Sequence, residues 1–328
     1  MKIKFLVIRL SSIGDIVLTT PVVRCLKKQV KGAEVHFVTK KKNELLVSSN
    51  PFIEKVHTFS GNLPELIGQL KLEQFDYIID LHQNFRSNRI KRSLGIPAFS
   101  FKKLNIEKFL LVNFKINRLP EKHIVDRYLE TLSVFDVKND GEGLNFFIPE
   151  NCNYPLNELP RAAQSGYVAF VIAGTWATKK LPVKKAIEIC NGIEHPVILL
   201  GGVNEKEEAR QILSESKGNV FNFTGKIDLH QSASLVRDAR LVLANDTGLM
   251  HIAAAFKKKI LSFWGNTIPQ FGMYPYQAHP ASEMFEVADL KCRPCSKIGY
   301  GKCPKKHFKC MEEQDTQKAV DWISKNFV

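Results

Sequence analysis

Four short segments of this 328-residue chain gather side chains that accept protons, hold hydroxyls or neutralise phosphate, and each follows an apolar run of strand length. In open α/β sheets, ligands bind at the carboxyl ends of the strands, so segments in this position are where chemistry is expected. The first is Arg9-Leu10-Ser11-Ser12-Ile13-Gly14-Asp15. Ser12 and Gly14 make a compact loop, and Asp15 falls near the start of the next helix. There it either caps the helix N-terminus or turns its carboxylate to the crevice as a proton acceptor. The loop is not Gly-x-Gly-x-x-Gly, so the dinucleotide fingerprint is missing from the place where it would occur.

The second segment is Ala244-Asn245-Asp246-Thr247-Gly248-Leu249-Met250-His251. Thr247, Gly248 and the first helical N–H groups can cradle phosphate at the positive end of a helix. Asp246 can accept hydrogen bonds from sugar hydroxyls. His251 follows Thr247 by one helical turn, so it either faces the same ligand or packs into the core. The third segment, Gly174-Thr175-Trp176-Ala177-Thr178-Lys179-Lys180-Leu181-Pro182, places hydroxyls and ammonium groups between a strand and a helix. Thr175, Thr178 and Lys179 suit a diphosphate, and an ammonium there would neutralise a departing phosphate. A solvated lysine pair before a helix would look the same. In the fourth, Gly201-Gly202-Val203-Asn204-Glu205, the glycines allow close backbone approach and Glu205 can hold ribose hydroxyls.

The elements that must position these loops follow from hydrophobic periodicity. Apolar runs at 3–8, 35–38, 56–59 and 77–81 read as strands, with helices at 16–30 and 63–72 between them. The stretch 90–114 is rich in Lys, Arg and Phe and reads as short helices and loops, followed by a helix at 122–135. Residues 138–160 lose periodicity and read as a linker with one strand at 145–148. The rhythm restarts with strands at 167–172, 197–200, 220–223, 241–244 and 259–263. Helices are expected between them at 182–192, 205–214, 230–237 and 248–256. The expected fold is α/β, with two Rossmann-like domains in tandem, 1–155 and 156–328. A final amphipathic helix over about 315–327 either stays in the second domain or packs back on the first.

The length suits two cores, since a single core rarely grows past roughly 250–300 residues. No stretch approaches the roughly 20 apolar residues that span a bilayer. Residues 1–10 are apolar, but Arg9 interrupts them and no small-residue cleavage site follows, so they read as a first strand rather than a signal peptide. That reading places the chain in the cytoplasm, where structural disulfides among its seven cysteines are not expected. Four of the seven cluster as Cys292-Arg293-Pro294-Cys295, Cys303 and Cys310. Cys-x-x-Cys is half of a structural zinc site, but the second pair is spaced more loosely than a zinc ribbon needs, so reduced thiols are the alternative. A formal net charge of +14 favours a polyanionic partner. No aromatic–basic recognition motif accompanies it, so nucleic acid is not the expected one.

Taken together, the Ser-Ser-x-Gly-Asp loop, the Lys-x-x-Pro helix start, Gly-Gly-x-x-Glu and Asp-Thr-Gly-x-x-His-x-Ala-Ala occur in the order and spacing of a known family. Over essentially its whole length the chain resembles glycosyltransferase family nine, the ADP-heptose:lipopolysaccharide heptosyltransferases. The resemblance implies a GT-B fold, with the two domains facing a central cleft. It also implies a metal-independent, inverting transfer of heptose from ADP-heptose to the lipopolysaccharide inner core, on a lipid A-Kdo or heptosyl acceptor. No cofactor is implied, and the enzyme would sit at the anionic cytoplasmic face of the inner membrane. Carried over by motif, Asp15 becomes the catalytic base, with Ser12 and Gly14 beside it. Thr175 and Lys179 become donor-phosphate contacts, Asp246 a contact to the donor sugar, and Thr247, Gly248 and His251 the phosphate-side loop. Glu205 becomes a ribose contact and Ile227 a wall for adenine, although Ile227 reads equally well as apolar core. Arg86 and Arg89, after the strand at 77–81, resemble the acceptor side, where guanidinium groups pair with acidic or phosphorylated sugars. The alternatives are a transferase of the same fold with another sugar nucleotide or acceptor, or a nonenzymatic nucleotide- or nucleic-acid-binding protein.

Overall fold

The structure, a computed structural model, describes residues 2–327; Met1 and Val328, which the expected domain limits include, lie outside the described residues. The chain divides into two compact units. One comprises the residues up to Lys103 together with Lys122–Phe147, and the other Leu104–Glu121 together with the residues from Ile148 on.

The first unit runs β1 (Ile3–Ile8), α1 (Ile13–Val17), α2 (Thr20–Gln29), β2 (Ala33–Lys40), α3 (Leu45–Ser48), β3 (Lys55–Phe59), α4 (Leu63–Leu72), β4 (Tyr77–Asp80), α5 (Phe85–Leu94) and β5 (Ala98–Ser100). After α6 (Asn105–Phe114), which groups with the second unit, the chain returns in α7 (Ile124–Leu129). All five strands are parallel, in the order β3-β2-β1-β4-β5. Parallel strands need both faces covered, and the central β1 complies, with Phe5, Leu6, Val7 and Ile8 fully buried.

The helix expected at 16–30 is interrupted. α1 ends at Leu18, and α2 starts afresh with Pro21 in its first turn, where the missing N–H costs nothing. The region 90–114 holds more order than expected. α5 begins at a reciprocal cap between Asn84 and Ser87 and ends at Gly95 in the left-handed conformation (φ 67°), and β5 follows as a short edge strand. The helix expected at 122–135 is α7 followed by a 3-10 segment, Glu130–Phe135. No strand forms at 145–148. Instead the Asn145 N–H donates to Thr20 Oγ1 at 2.9 Å. Arg24 of α2 grips the same segment, with bidentate bonds to Asp140 at 2.6 and 2.7 Å, a third to the Gly143 carbonyl at 2.9 Å and a fourth to Asn145.

The second unit runs β6 (Val168–Val171), α8 (Val183–Gly192), β7 (Val197–Leu200), α9 (Lys206–Glu215), β8 (Val220–Asn222), α10 (Leu229–Asp238), β9 (Leu241–Asn245), α11 (Gly248–Ala255), β10 (Lys259–Trp264), β11 (Glu283–Glu286), α12 (Lys309–Glu312) and α13 (Thr316–Asn326). Its six parallel strands are ordered β11-β10-β9-β6-β7-β8. β11 had no sequence signal: of Glu-Met-Phe-Glu only Phe285 is buried, as suits an edge strand. α13 lies so close to α8 that a Cβ on Gly192 would meet Val320 Cγ2 at 2.6 Å. Among the described residues no helix is long and apolar enough to cross a membrane.

Candidate functional site

In the first unit the loop after β1 is built around an arginine. Arg9, almost fully buried at the end of the strand, places Nη2 2.7 Å from Asp15 Oδ1. Its Nη1 donates to the Tyr128 hydroxyl at 3.0 Å and to the Leu81 carbonyl, and its Nε donates to the Ser11 carbonyl at 2.8 Å. The other Asp15 oxygen accepts the Ser12 N–H at 3.1 Å and the Ser12 hydroxyl at 2.6 Å. Asp15 is therefore a helix cap and a salt-bridge partner at once, on a side chain 19% exposed. Burial pushes its carboxyl up, but the Arg9 charge and the two Ser12 donors outweigh it, and the group is held below the usual carboxylate range. Each carboxylate oxygen has two acceptor sites, so the pairing does not exhaust its capacity to take a proton.

Gly14 is buried in the first turn of α1. Arg86 and Arg89 stand exposed in the first turns of α5, which follows β4 at the same end of the sheet. The Arg86 guanidinium lies over the Phe59 ring, 5.4 Å from its centroid.

In the second unit the loops after β6, β9 and β10 converge. Lys179 Nζ lies 2.5 Å from Asp246 Oδ2, which also accepts from the Thr267 hydroxyl at 3.2 Å. Thr247 caps α11, its Oγ1 accepting the Leu249 N–H at 3.2 Å, and Gly248 is the first helical residue. The arrangement is held by Asn245, 1% exposed. Its Oδ1 accepts the Leu181 N–H at 3.0 Å, and its amide donates to the Ile172 and Ala173 carbonyls at 3.3 and 3.2 Å. One side chain thus fixes the start of the Lys179 loop, its end, and the strand that delivers Asp246.

A second pair of loops meets after β7 and β8. The Gly225 N–H donates to the Gly201 carbonyl at 3.0 Å. Gly225 has φ 64°, and a Cβ there would come within 3.1 Å of Val203 Cα, so the position calls for glycine. Glu205 is buried, with Oε2 accepting the Gly202 N–H at 2.9 Å and Oε1 3.5 Å from Lys180 Nζ. Ile227 is half-buried in the adjoining loop.

Not every expected contact residue faces outward. Thr175 is exposed and Lys179 half-buried, but the Thr178 hydroxyl is engaged inside the fold. It donates to the Tyr300 carbonyl at 3.0 Å and accepts the Tyr300 N–H at 2.8 Å. His251 is buried within α11. Sequence reasoning assigned no role to Arg9, Tyr128, Asn245 or Thr267. For Arg9 the signal was present: a charge ending a buried apolar strand needs a partner.

Cys292, Cys295, Cys303 and Cys310 are free thiols, and Cys292 Sγ lies 3.8 Å from His307 Nε2. They do not form a group of three or more ligating atoms within 4.8 Å of one another.

The family model described as Glycosyltransferase family 9 (heptosyltransferase) matches residues 64–302. Lipopolysaccharide heptosyltransferase 1 of Campylobacter coli is 24% identical over 289 residues, covering 80% of this chain and 84% of that relative. The crystal structure of a glycosyl transferase family 9 protein from Veillonella parvula superposes with a TM-score of 0.79 at 20% identity, covering 100% of this chain and 98% of the other. The E. coli ADP-heptose lps heptosyltransferase II does so with a TM-score of 0.76 at 19% identity, covering 99% and 98%.

Proposed function

Since this chain belongs to glycosyltransferase family 9, we propose that it transfers a heptose from ADP-heptose to the lipopolysaccharide inner core, by one inverting displacement that uses no metal and no cofactor. The observation that carries the reading is the junction of Lys179, Asp246 and the capped start of α11, clamped by Asn245. A sugar diphosphate needs a cation and N–H donors for its phosphates and a carboxylate for its sugar hydroxyls, and this junction offers all three.

The second unit binds the donor. Lys179, Thr175 and the N-terminus of α11 hold the diphosphate, Asp246 the heptose hydroxyls, and Glu205 and Ile227 the ribose and adenine. The first unit binds the acceptor, with Arg86 and Arg89 meeting its acidic groups. Asp15 takes the proton from the acceptor hydroxyl as that oxygen bonds to the anomeric carbon. The anomeric C–O bond to the β-phosphate breaks, and its electron pair leaves with ADP, whose added charge Lys179 and α11 stabilise. Attack from the face opposite the diphosphate inverts the anomeric centre. A cytoplasmic protein peripheral to the inner membrane would meet both substrates, and the charge of +14 suits an anionic surface.

The test is direct. Purified protein is given a panel of nucleotide sugars with a lipid A-Kdo or heptosylated acceptor, and product mass and anomeric configuration are read. Heptose transfer from ADP-heptose with inversion is expected; transfer only from another sugar nucleotide, or with retention, refutes the reading.

A further inference from the structure

Outside the strand-end loops, the first unit holds a cluster that the transferase reaction does not use. β2 and β3 pair so that Val38 stands opposite His57 and His36 opposite Lys55. Side chains two residues apart on a strand share a face, so Glu34, His36 and His57 project to the same side. Two of their ring nitrogens face each other, with His36 Nδ1 3.0 Å from His57 Nε2. Glu73, capping the C-terminus of α4, brings one carboxylate oxygen to 3.9 Å from His36 Nδ1 and the other to 4.0 Å from His57 Nε2. Both rings are buried, at 2% and 5% exposure. Phe75 meets each edge-on, with centroids 5.1 and 6.0 Å away.

We propose that His36, His57 and Glu73 form a binding site for a divalent transition metal of the zinc class, clipping the edge strand β3 and the end of α4 to β2. Zinc bonds to nitrogen and oxygen at roughly 2.0–2.1 Å in a tetrahedron, which separates neighbouring ligand atoms by about 3.3 Å. The ring nitrogens, 3.0 Å apart, are close to that value; Glu73 approaches them with a different oxygen each, at 3.9 and 4.0 Å, and a small inward shift would bring one oxygen to ligating distance. Two imidazoles and a carboxylate suit zinc, cobalt or nickel better than the hard cations that prefer all-oxygen sites. The cluster also carries an outer support that metal-bound histidines usually have. Glu34 Oε1 lies 3.1 Å from His36 Nε2, so that nitrogen can carry the proton and leave the Nδ1 lone pair for the ion. One coordination position remains for water. The competitors are Lys55, whose ammonium contacts Glu73 but whose side chain is 56% exposed and can swing into solvent, and Lys4, whose Nζ lies 3.8 Å from both Glu73 Oε2 and Glu34 Oε1 on a side chain 31% exposed.

The experiment uses the full chain with Cys152, Cys292, Cys295 and Cys303 all replaced by Ser, so that the partly exposed thiolates do not contribute. Zn2+ is titrated by calorimetry, and Co2+ is followed by its visible spectrum. Expected are one equivalent bound, a cobalt spectrum without a thiolate charge-transfer band, and a higher unfolding temperature with Zn2+. Glu34→Gln should weaken zinc binding by about tenfold, and His57→Gln and Glu73→Gln should weaken it further. Glu73→Gln changes a partly exposed side chain and keeps the readout available if His57→Gln folds poorly. Zinc affinity unchanged by both ligand substitutions, or no binding to the parent, overturns the proposal and leaves a histidine pair joined by a shared proton. Because none of these residues has a part in heptose transfer, the result is independent of that assignment.

Discussion

Arg9 Nη2 lies 2.7 Å from Asp15 Oδ1, so a charge from the residue that follows β1 holds the proposed base, at the start of α1, in its ionised form. Asp15→Asn keeps the shape and the Ser12 contacts but removes the proton acceptor. The expected result is a fall in kcat of roughly 10²–10⁴-fold with ADP affinity intact by calorimetry. Near-full turnover would remove Asp15 from the chemistry.

The pairing also fixes a pH dependence. A depressed carboxyl pKa means that Asp15 is ionised through the neutral range, and it places the acid limb of kcat/KM that Asp15 controls below about 3.9, the ordinary aspartate value. Arg9→Met removes the charge and leaves burial, which favours the protonated acid. The limb should move upward. A limb that stays in place would show that another group sets it.

Lys179 and Asp246 are both largely buried and lie 2.5 Å apart. Removing one strands the other, so the effects of Lys179→Met and Asp246→Asn on donor binding should not add. A double-mutant cycle on ADP-heptose affinity is expected to give a coupling of roughly 0.5–3 kcal/mol. Simple additivity would mean that the two act on the donor separately.

Asn245→Ala would leave the Leu181 N–H without its acceptor and two carbonyls without their donor. Each buried polar group so stranded costs about 1–3 kcal/mol. The unfolding temperature should fall by several degrees and ADP binding should weaken, although Asn245 need not touch the nucleotide. A stable variant with unchanged ADP affinity would show that the loop holds its shape without this clamp.

Acid stability should depend on Asp140. Its paired bonds to Arg24 lower its pKa to about 2. A depressed carboxylate stabilises the fold above its unfolded pKa, and that contribution disappears as pH falls through the folded value. With an unfolded value near 3.9, the contribution at neutral pH is roughly 2–3 kcal/mol. Asp140→Asn should be less stable than the parent by that order at pH 7 in urea unfolding. The gap should close between about pH 4 and pH 2.

The strands buried on both faces were legible because apolar runs such as Ile3–Ile8 have no other stable placement. The strand-end loops followed, since a parallel sheet puts them on one rim. What escaped depends on distant partners. Asn245 acts on Leu181 and Ile172, and nothing local says that β9 lies beside β6. Tyr128 reaches Arg9 across more than a hundred residues. Thr178 looked like a ligand contact because its engagement with Tyr300 is tertiary. β5 and β11 are edge strands with a single water-excluded face at most, so their composition resembles that of loops.

Both sheets grow outward from the strand translated first: β1 lies between β2 and β4, and β6 between β7 and β9. On the ribosome each founding strand emerges with two greasy faces and two open edges, and after the first partner strand has paired, the second edge stays open until two further helices and two further strands have been made. A nascent or truncated chain ending before β4 or β9 would therefore present a sticky, unzipped flank, and such fragments should be strong clients for chaperones and poor candidates for soluble expression.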